Sequence, residues 1–166
     1  GLAGYGSLKL AKGEGMGVAC VSSQERKTAS WTACVAHVAV APSGEVKVKK
    51  LTVATDVGTA VNPDGIRAQV EGGAMWGLSL ALYEKATMKD GGIEQTNFDT
   101  YTPLRMSQMP EVAVNIIANG EHATGVGEPT VTVVAPAIAN AIFNAVGARV
   151  RSLPITAEAV KAAMKA

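Results

Sequence analysis

Apolar and small residues come in two runs near the start of the chain, at residues 18–21 and 31–40, divided by the polar stretch 22–29. The second run is rich in β-branched and small side chains, as a strand requires. It ends at Pro42, Ser43 and Gly44, a turn signal. Beyond the turn, Val46, Lys47, Val48 and Lys49 alternate and lead into Leu51, Thr52, Val53 and Ala54. Two long strands about a Pro-Ser-Gly turn predict a β-hairpin.

The period then changes from two to between three and four. Asn62 followed by Pro63 reads as an N-cap and first helical residue. Ile66, Val70, Ala74, Leu78 and Leu82 recur on one helical face. Gly65, Gly72, Gly73 and Gly77 interrupt this helix, each at a cost of about 1 kcal/mol against Ala. Several such losses on one helix point to close approach by another helix or a flat ligand. A short hairpin is predicted about Asp90, Gly91 and Gly92, linking residues 83–88 to 93–95. Residues 97–109 read as a loop and 111–118 as a strand. After the turn at Asn119 and Gly120 comes a loop over residues 124–129. A second helix follows, apolar at Ile138, Ile142 and Ala145, with Pro136 kinking or restarting it and Gly147 stopping it. Thr156 caps a last short helix carrying Val160, Ala163 and Met164. The fold class expected is α+β, a mostly antiparallel sheet with two main helices. Residues 1–15, rich in Gly and Lys, form an opening segment of a single domain over residues 1–166.

Composition narrows the picture. The chain has 166 residues, 48% of them hydrophobic and only 17% charged, which excludes a disordered chain. So low a charged share suits a surface partly covered by another subunit. A net charge of +1 leaves no basic footprint for nucleic acid. Lys47, Lys49 and Lys50 read as a solvated strand edge. Two cysteines, Cys20 and Cys34, and two histidines make no metal site by spacing; Cys34 reads as a small buried residue, and a disulfide stays open. No apolar stretch looks long enough to span a bilayer. The first residue is Gly1 rather than Met, which we read as a cut. Compartment is therefore undecided, between cytoplasm and periplasm.

Glu128 is the leading candidate for chemistry. Gly125 and Gly127 free the backbone before it, and Pro129 should push Glu128 toward an extended conformation ahead of a helix, where backbone N–H groups favour negative charge. Glu is a poor N-cap, so its presence asks for another reason; the plain alternative is an exposed loop carboxylate. Gln69 and Glu71 lie beside the bare backbone of Gly72 and Gly73, where a polar ligand would satisfy the Gln amide; the plain alternative is a solvent-facing helix surface. Gly13, Gly15 and Gly17 have the look of a nucleotide loop, but no helix follows and Val18 stands where the last Gly belongs. His37 reads as a satisfied residue within a strand, and His122 as a loop residue that could stand near a site.

Taken in order, these fragments resemble a known family. Residues 56–63, DVGTAVNP, resemble the DxGxxxNP segment of the xanthine oxidase family of molybdenum hydroxylases. Residues 69–78, QVEGGAMWGL, resemble their QVEGG segment, with Ala68 in place of the usual Gly. Residues 125–129, GVGEP, resemble their GEP loop. Arg67-Ala68-Gln69, residues 97–101 and residues 104–110 resemble the isoquinoline 1-oxidoreductase branch. The likeness runs from about residue 13 to 153.

The resemblance implies the C-terminal part of a molybdopterin-binding subunit that hydroxylates or oxidises an aldehyde or N-heteroaromatic substrate with water-derived oxygen. It implies Glu128 as general base, and Gln69, with Gly72, Gly73, Gly125 and Gly127, at the cofactor. The cofactor implied is molybdenum-molybdopterin in its cytosine dinucleotide form, its metal held by the pterin dithiolene with no protein ligand. The partners implied are the remaining N-terminal part of the molybdenum subunit and an iron-sulfur subunit carrying [2Fe-2S] clusters. The competing reading is a non-catalytic scaffold domain that retains the fold. Because relatives make many further cofactor contacts upstream of this segment, the chain expressed alone in a cofactor-producing host should hold little molybdenum. Stoichiometric metal by mass spectrometry would contradict that expectation.

Overall fold

The computed structural model describes residues 2–25 and 28–164. Gly1 and two residues of the polar 22–29 stretch lie outside the described residues. Three long strands come first: β1 (Glu14–Glu25), β2 (Thr28–Val40) and β3 (Val46–Asp56). β1 pairs antiparallel with β2, and β2 antiparallel with β3, so the hairpin expected about Pro42–Gly44 is present. β1 is longer than the short run expected there, and it begins inside the segment assigned to an opening loop. Helix α1 (Pro63–Leu82) follows, then a two-residue hairpin of β4 (Met88–Lys89) and β5 (Gly92–Ile93), shorter at both arms than expected. A 3-10 turn at Met106–Gln108 precedes β6 (Glu111–Ile117); α2 (Pro129–Val146) and α3 (Ala157–Ala163) complete the chain.

The main sheet has the order β1-β2-β3-β6. Its last pairing is parallel, with Lys50 opposite Glu111 and Asp56 opposite Ile117. The sheet is mostly antiparallel, as expected, but β3-α1-β6 is a crossover unit that the apolar pattern did not reveal. Alternation alone cannot tell which neighbour a strand takes. Burial along β2 alternates strictly, with Cys34, Ala36 and Val38 facing the helices at no exposure. These residues join Leu51, Val53, Val70, Ala74, Leu78, Val134, Ile138 and Ile142 in one core. The Cys34 thiol is pushed up to about 12 by burial, and both cysteines are free.

Lys47 and Lys49 are exposed on the part of β3 that pairs with β2 alone, the solvated edge expected, while Lys50 begins the pairing with β6; a register shift opposite His37 and Val38 marks a bulge at Lys49. Lys49 Nζ lies 2.6 Å from Glu14, whose carboxyl it holds below the usual range, and Lys50 Nζ lies 2.7 Å from Glu111. His37, part-buried, lies 3.3 Å from the same Glu14 carboxylate.

Helix ends obey local chemistry. Asn62 Oδ1 accepts from the Gly65 N–H at 2.9 Å, Thr156 Oγ1 accepts from Ala159 N–H at 3.2 Å, and Gly147 closes α2 with φ of 74°. Pro136 neither restarts nor divides α2, which runs through it. At 18 residues without a charge, α2 is long and apolar enough to cross a membrane by composition, contrary to the expectation from sequence. Here it is the central core helix, with Val134, Ala137, Ile138, Ala141 and Ile142 fully buried.

The glycines show how tightly the layers meet. A Cβ on Gly17 would fall on the backbone nitrogen of Ala141, and one on Gly15 on the Ala141 carbonyl. β1 therefore lies directly on the backbone of α2, and Asn140 and Asn144 of α2 donate to the Val18 and Met16 carbonyls at 3.0 and 2.8 Å. Gly15 and Gly17 of the run that is unconvincing as a nucleotide loop make this contact, while Gly13 faces the Val40 carbonyl. In α1, Gly73 faces the Thr130 side chain at 3.2 Å and Gly77 the Val131 carbonyl at 2.9 Å, measured from the absent Cβ. The close neighbour of these two glycines is a helix. Gly72 differs: a Cβ there would meet nothing within 4 Å.

Two substitutions should separate these cases. Gly17→Ala must displace backbone rather than a flexible side chain, so it should cost about 3 kcal/mol or more. Gly72→Ala should stabilise the cofactor-free protein by roughly 0.5–1 kcal/mol through helix propensity. Urea unfolding midpoints check both, and an unaltered midpoint for Gly17→Ala would contradict the packing described.

Candidate functional site

The parallel β3–β6 pair sets the site. Both strands end on the same side of the sheet, β3 at Asp56 and β6 at Ile117, and each is followed by a connection to a helix. Residues 57–62 lead into α1, and residues 118–128 lead into α2. Two helix N-termini therefore open at one end of the sheet, which makes that end favourable to negative charge. In α/β units, ligands gather at the carboxyl ends of parallel strands for this reason.

A groove of about 410 Å³ lies there, lined by Val57, Thr59, Val61, Asn62, Gly65, Ile66 and Gln69 on one side and Ala123, Thr124, Val126 and Gly127 on the other. Its two walls are tied together. Gln69 Nε2 donates to the Gly127 carbonyl at 2.8 Å, so the amide left open by the sequence is partly met by the loop that carries Glu128. The Gln69 side chain is exposed, and its carbonyl oxygen keeps acceptor capacity. Among the described residues, the Thr124 hydroxyl is buried with no hydrogen-bond partner. At Gly127, as at Gly72, an added Cβ would meet nothing within 4 Å, so bare backbone borders open space at both.

Glu128 occupies the N-cap of α2 with φ −115° and ψ −25°, in the helical region rather than the extended one expected before Pro129. The preference imposed by proline is a bias, and entry into the helix overrides it. Its carboxylate makes no capping bond and is exposed. Gln69 and Gly127 are thus brought together at the groove, and Glu128 follows Gly127 in the chain, with Gly125 in the same loop. Gly72 lies on the exposed side of α1, one turn beyond Gln69, while Gly73 is buried against α2. No group of three His, Cys, Asp or Glu able to hold a metal occurs among the described residues.

The sequence reading gave no role to the residues that hold the loop. Asp56 Oδ1 accepts from Gly58 N–H at 3.1 Å, and the Asn119 side-chain amide donates to both Asp56 oxygens at 3.1 and 3.2 Å. Asn119 N–H donates to the Gly58 carbonyl at 3.0 Å, and Thr124 N–H to the Val57 carbonyl at 3.0 Å. Thr59 Oγ1 donates to the Glu121 carbonyl at 2.6 Å. Gly58 has φ of 66°, and a Cβ there would fall on the His122 carbonyl, so both its conformation and the loop's approach require glycine. An Asp two residues before a Gly is a turn signal that could have marked this knot.

Comparison with known proteins shows the family to which the chain belongs. Residues 11–110 match the family described as the molybdopterin cofactor-binding domain. The chain is 47% identical over 152 residues to the "membrane-bound aldehyde dehydrogenase [pyrroloquinoline-quinone]" of Gluconacetobacter polyoxogenes, covering 91% of this chain and 20% of that protein. It is 38% identical over 110 residues to isoquinoline 1-oxidoreductase subunit beta of Brevundimonas diminuta, covering 66% of this chain and 14% of that one. The aldehyde oxidoreductase structure from Desulfovibrio gigas superimposes with a TM-score of 0.72 at 28% identity, over 83% of this chain and 16% of that one. The chain spans about a fifth or less of the length of these relatives.

Proposed function

This chain belongs to the molybdopterin cofactor-binding domain family of the xanthine oxidase-type molybdenum hydroxylases, and from that premise we propose that its groove forms one wall of a molybdenum-cofactor site with Glu128 as general base. The observation that carries the reading is the meeting of Gln69 with Gly127 at the open groove between two helix N-termini, with Glu128 next in the chain at one of them. The residues fit such a group. Bare backbone at Gly127 and Gly72 leaves room for a flat heterocycle, and the Gln69 carbonyl and Thr124 hydroxyl offer polar contacts. The helix N-termini suit its phosphate, whether or not the cytosine dinucleotide form is bound.

When bound, the cofactor supplies two-electron redox chemistry. The overall change adds water-derived oxygen to a substrate C–H carbon, giving C–OH, two protons and two electrons. Glu128 accepts a proton from that oxygen, its carboxylate being left free by the absence of a capping bond. The substrate proposed is an aldehyde or an N-heteroaromatic compound, by analogy with the relatives. The electrons would leave through [2Fe-2S] clusters of a partner subunit. The exposed Trp31, Trp76 and Val61 suit burial by the remaining part of the molybdenum subunit.

The name of the Gluconacetobacter relative raises a second reading, a pyrroloquinoline quinone site. Metal and cofactor analysis of the native assembly separates the two: molybdenum with a pterin supports the first, and quinone without molybdenum the second. Within the first reading, Glu128→Gln should lower turnover at least about 100-fold with cofactor content near normal. Activity within a few-fold of the parent would refute the assignment. Gln69→Ala should lower molybdenum occupancy, since a lost bond to the cofactor costs roughly 1–3 kcal/mol; unchanged occupancy after long dialysis counts against it. Gly72→Ala, stabilising without cofactor, should also lower occupancy if the cofactor lies on that backbone.

A further inference from the structure

We propose that Asp56 and Asn119 form a brace that positions Glu128, so that Asp56 is a positioning residue of the reaction; this rests on the general-base reading of Glu128. Asp56 is the last residue of β3, a fixed point in the sheet between Trp31 of β2 and Ile117 of β6. Its two carboxylate oxygens take the Asn119 amide at 3.1 and 3.2 Å, and one also takes the Gly58 N–H at 3.1 Å. Asn119 in turn accepts the Glu121 N–H on its own side-chain oxygen at 2.9 Å. The brace thus transmits the position of β3 into residues 119–121, and Thr59 and Val57 extend the hold to Glu121 and Thr124.

The next anchored point is Gly127, through Gln69. Only residues 125 and 126 lie between the two anchors, and Glu128 follows at the helix start. Glu128 makes no capping bond of its own, so its loop is placed by these contacts and by the packing of α2. Asn119 is exposed and outside the core, so losing the brace removes little global stability. It does remove the bonds that fix the loop, and misplacement of a reacting group by about 1 Å costs on the order of 100-fold in rate.

The bond directions make the brace testable by reciprocal exchange. In Asp56→Asn two amides face each other, and in Asn119→Asp two carboxylates do. In the double variant, Asn at position 56 can accept from Gly58 N–H and donate to Asp at position 119, which still accepts from Glu121 N–H. The bonds donated by the Gly58 and Glu121 N–H groups are kept, and the bond between the two side chains returns with its direction reversed.

The experiment uses the native assembly, with kcat, KM, molybdenum content and melting temperature measured for both single variants, the double variant and Glu128→Gln. We expect each single variant to lose about 10- to 100-fold in kcat, with KM within about 3-fold and metal content unchanged. The double variant should recover to within a few-fold of the parent. Single variants with parental kcat would overturn the brace, as would a double variant as impaired as both losses combined. Should a single variant not fold, a folded and active double variant still supports the brace, and an unfolded one overturns it. If Glu128→Gln keeps parental activity, the general-base reading fails and the brace falls with it. Loss in Glu128→Gln beside an unaffected Asp56→Asn removes the brace alone.

Discussion

Everything at the groove depends on the parallel pairing of β3 with β6. An antiparallel neighbour would have brought the following loop to the opposite end of the sheet. With Asp56 opposite Ile117, both strands deliver their connections to one side, and both connections must run into helices. The groove, its two helix N-termini and the meeting of Gln69 with Gly127 all follow from that register.

A second constraint holds this end in place. α1 and α2 lie side by side with their backbones close at Gly73 and Gly77, which fixes the two helix starts relative to each other. α2 is fixed in turn on β1, where Gly15 and Gly17 leave no room for a side chain, and its Asn140 and Asn144 occupy carbonyls of that edge strand. The helix that Glu128 precedes is thus packed closely on both α1 and β1. Such packing fixes the backbone at the helix start, where Glu128 stands.

Much of the architecture was legible in local chemistry. Asn62-Pro63 announced α1, Gly147 closed α2, Thr156 capped α3, and the turn at Pro42–Gly44 joined two strands as expected. Each signal depends on a few adjacent residues. The parallel partner of β3, the bulge that turns Lys49 toward Glu14, and the glycine contacts of β1 depend on residues distant in sequence, and periodicity holds no record of them. At the candidate site, Gln69 and Glu128 stood out as polar residues beside bare backbone. Asp56 and Asn119 did not, because an Asp before a Gly and an Asn-Gly pair are common turn signals and only the fold brings them together.

The groove at the ends of β3 and β6 is where we propose that the molybdenum cofactor binds. Anomalous scattering from crystals of the native assembly, measured across the molybdenum absorption edge, would locate the metal without reference to any assumed role. A molybdenum peak beside the groove, within reach of the Glu128 carboxylate, is the result predicted. A peak remote from Glu128 and Gln69, with the groove filled by protein or by water alone, would contradict it.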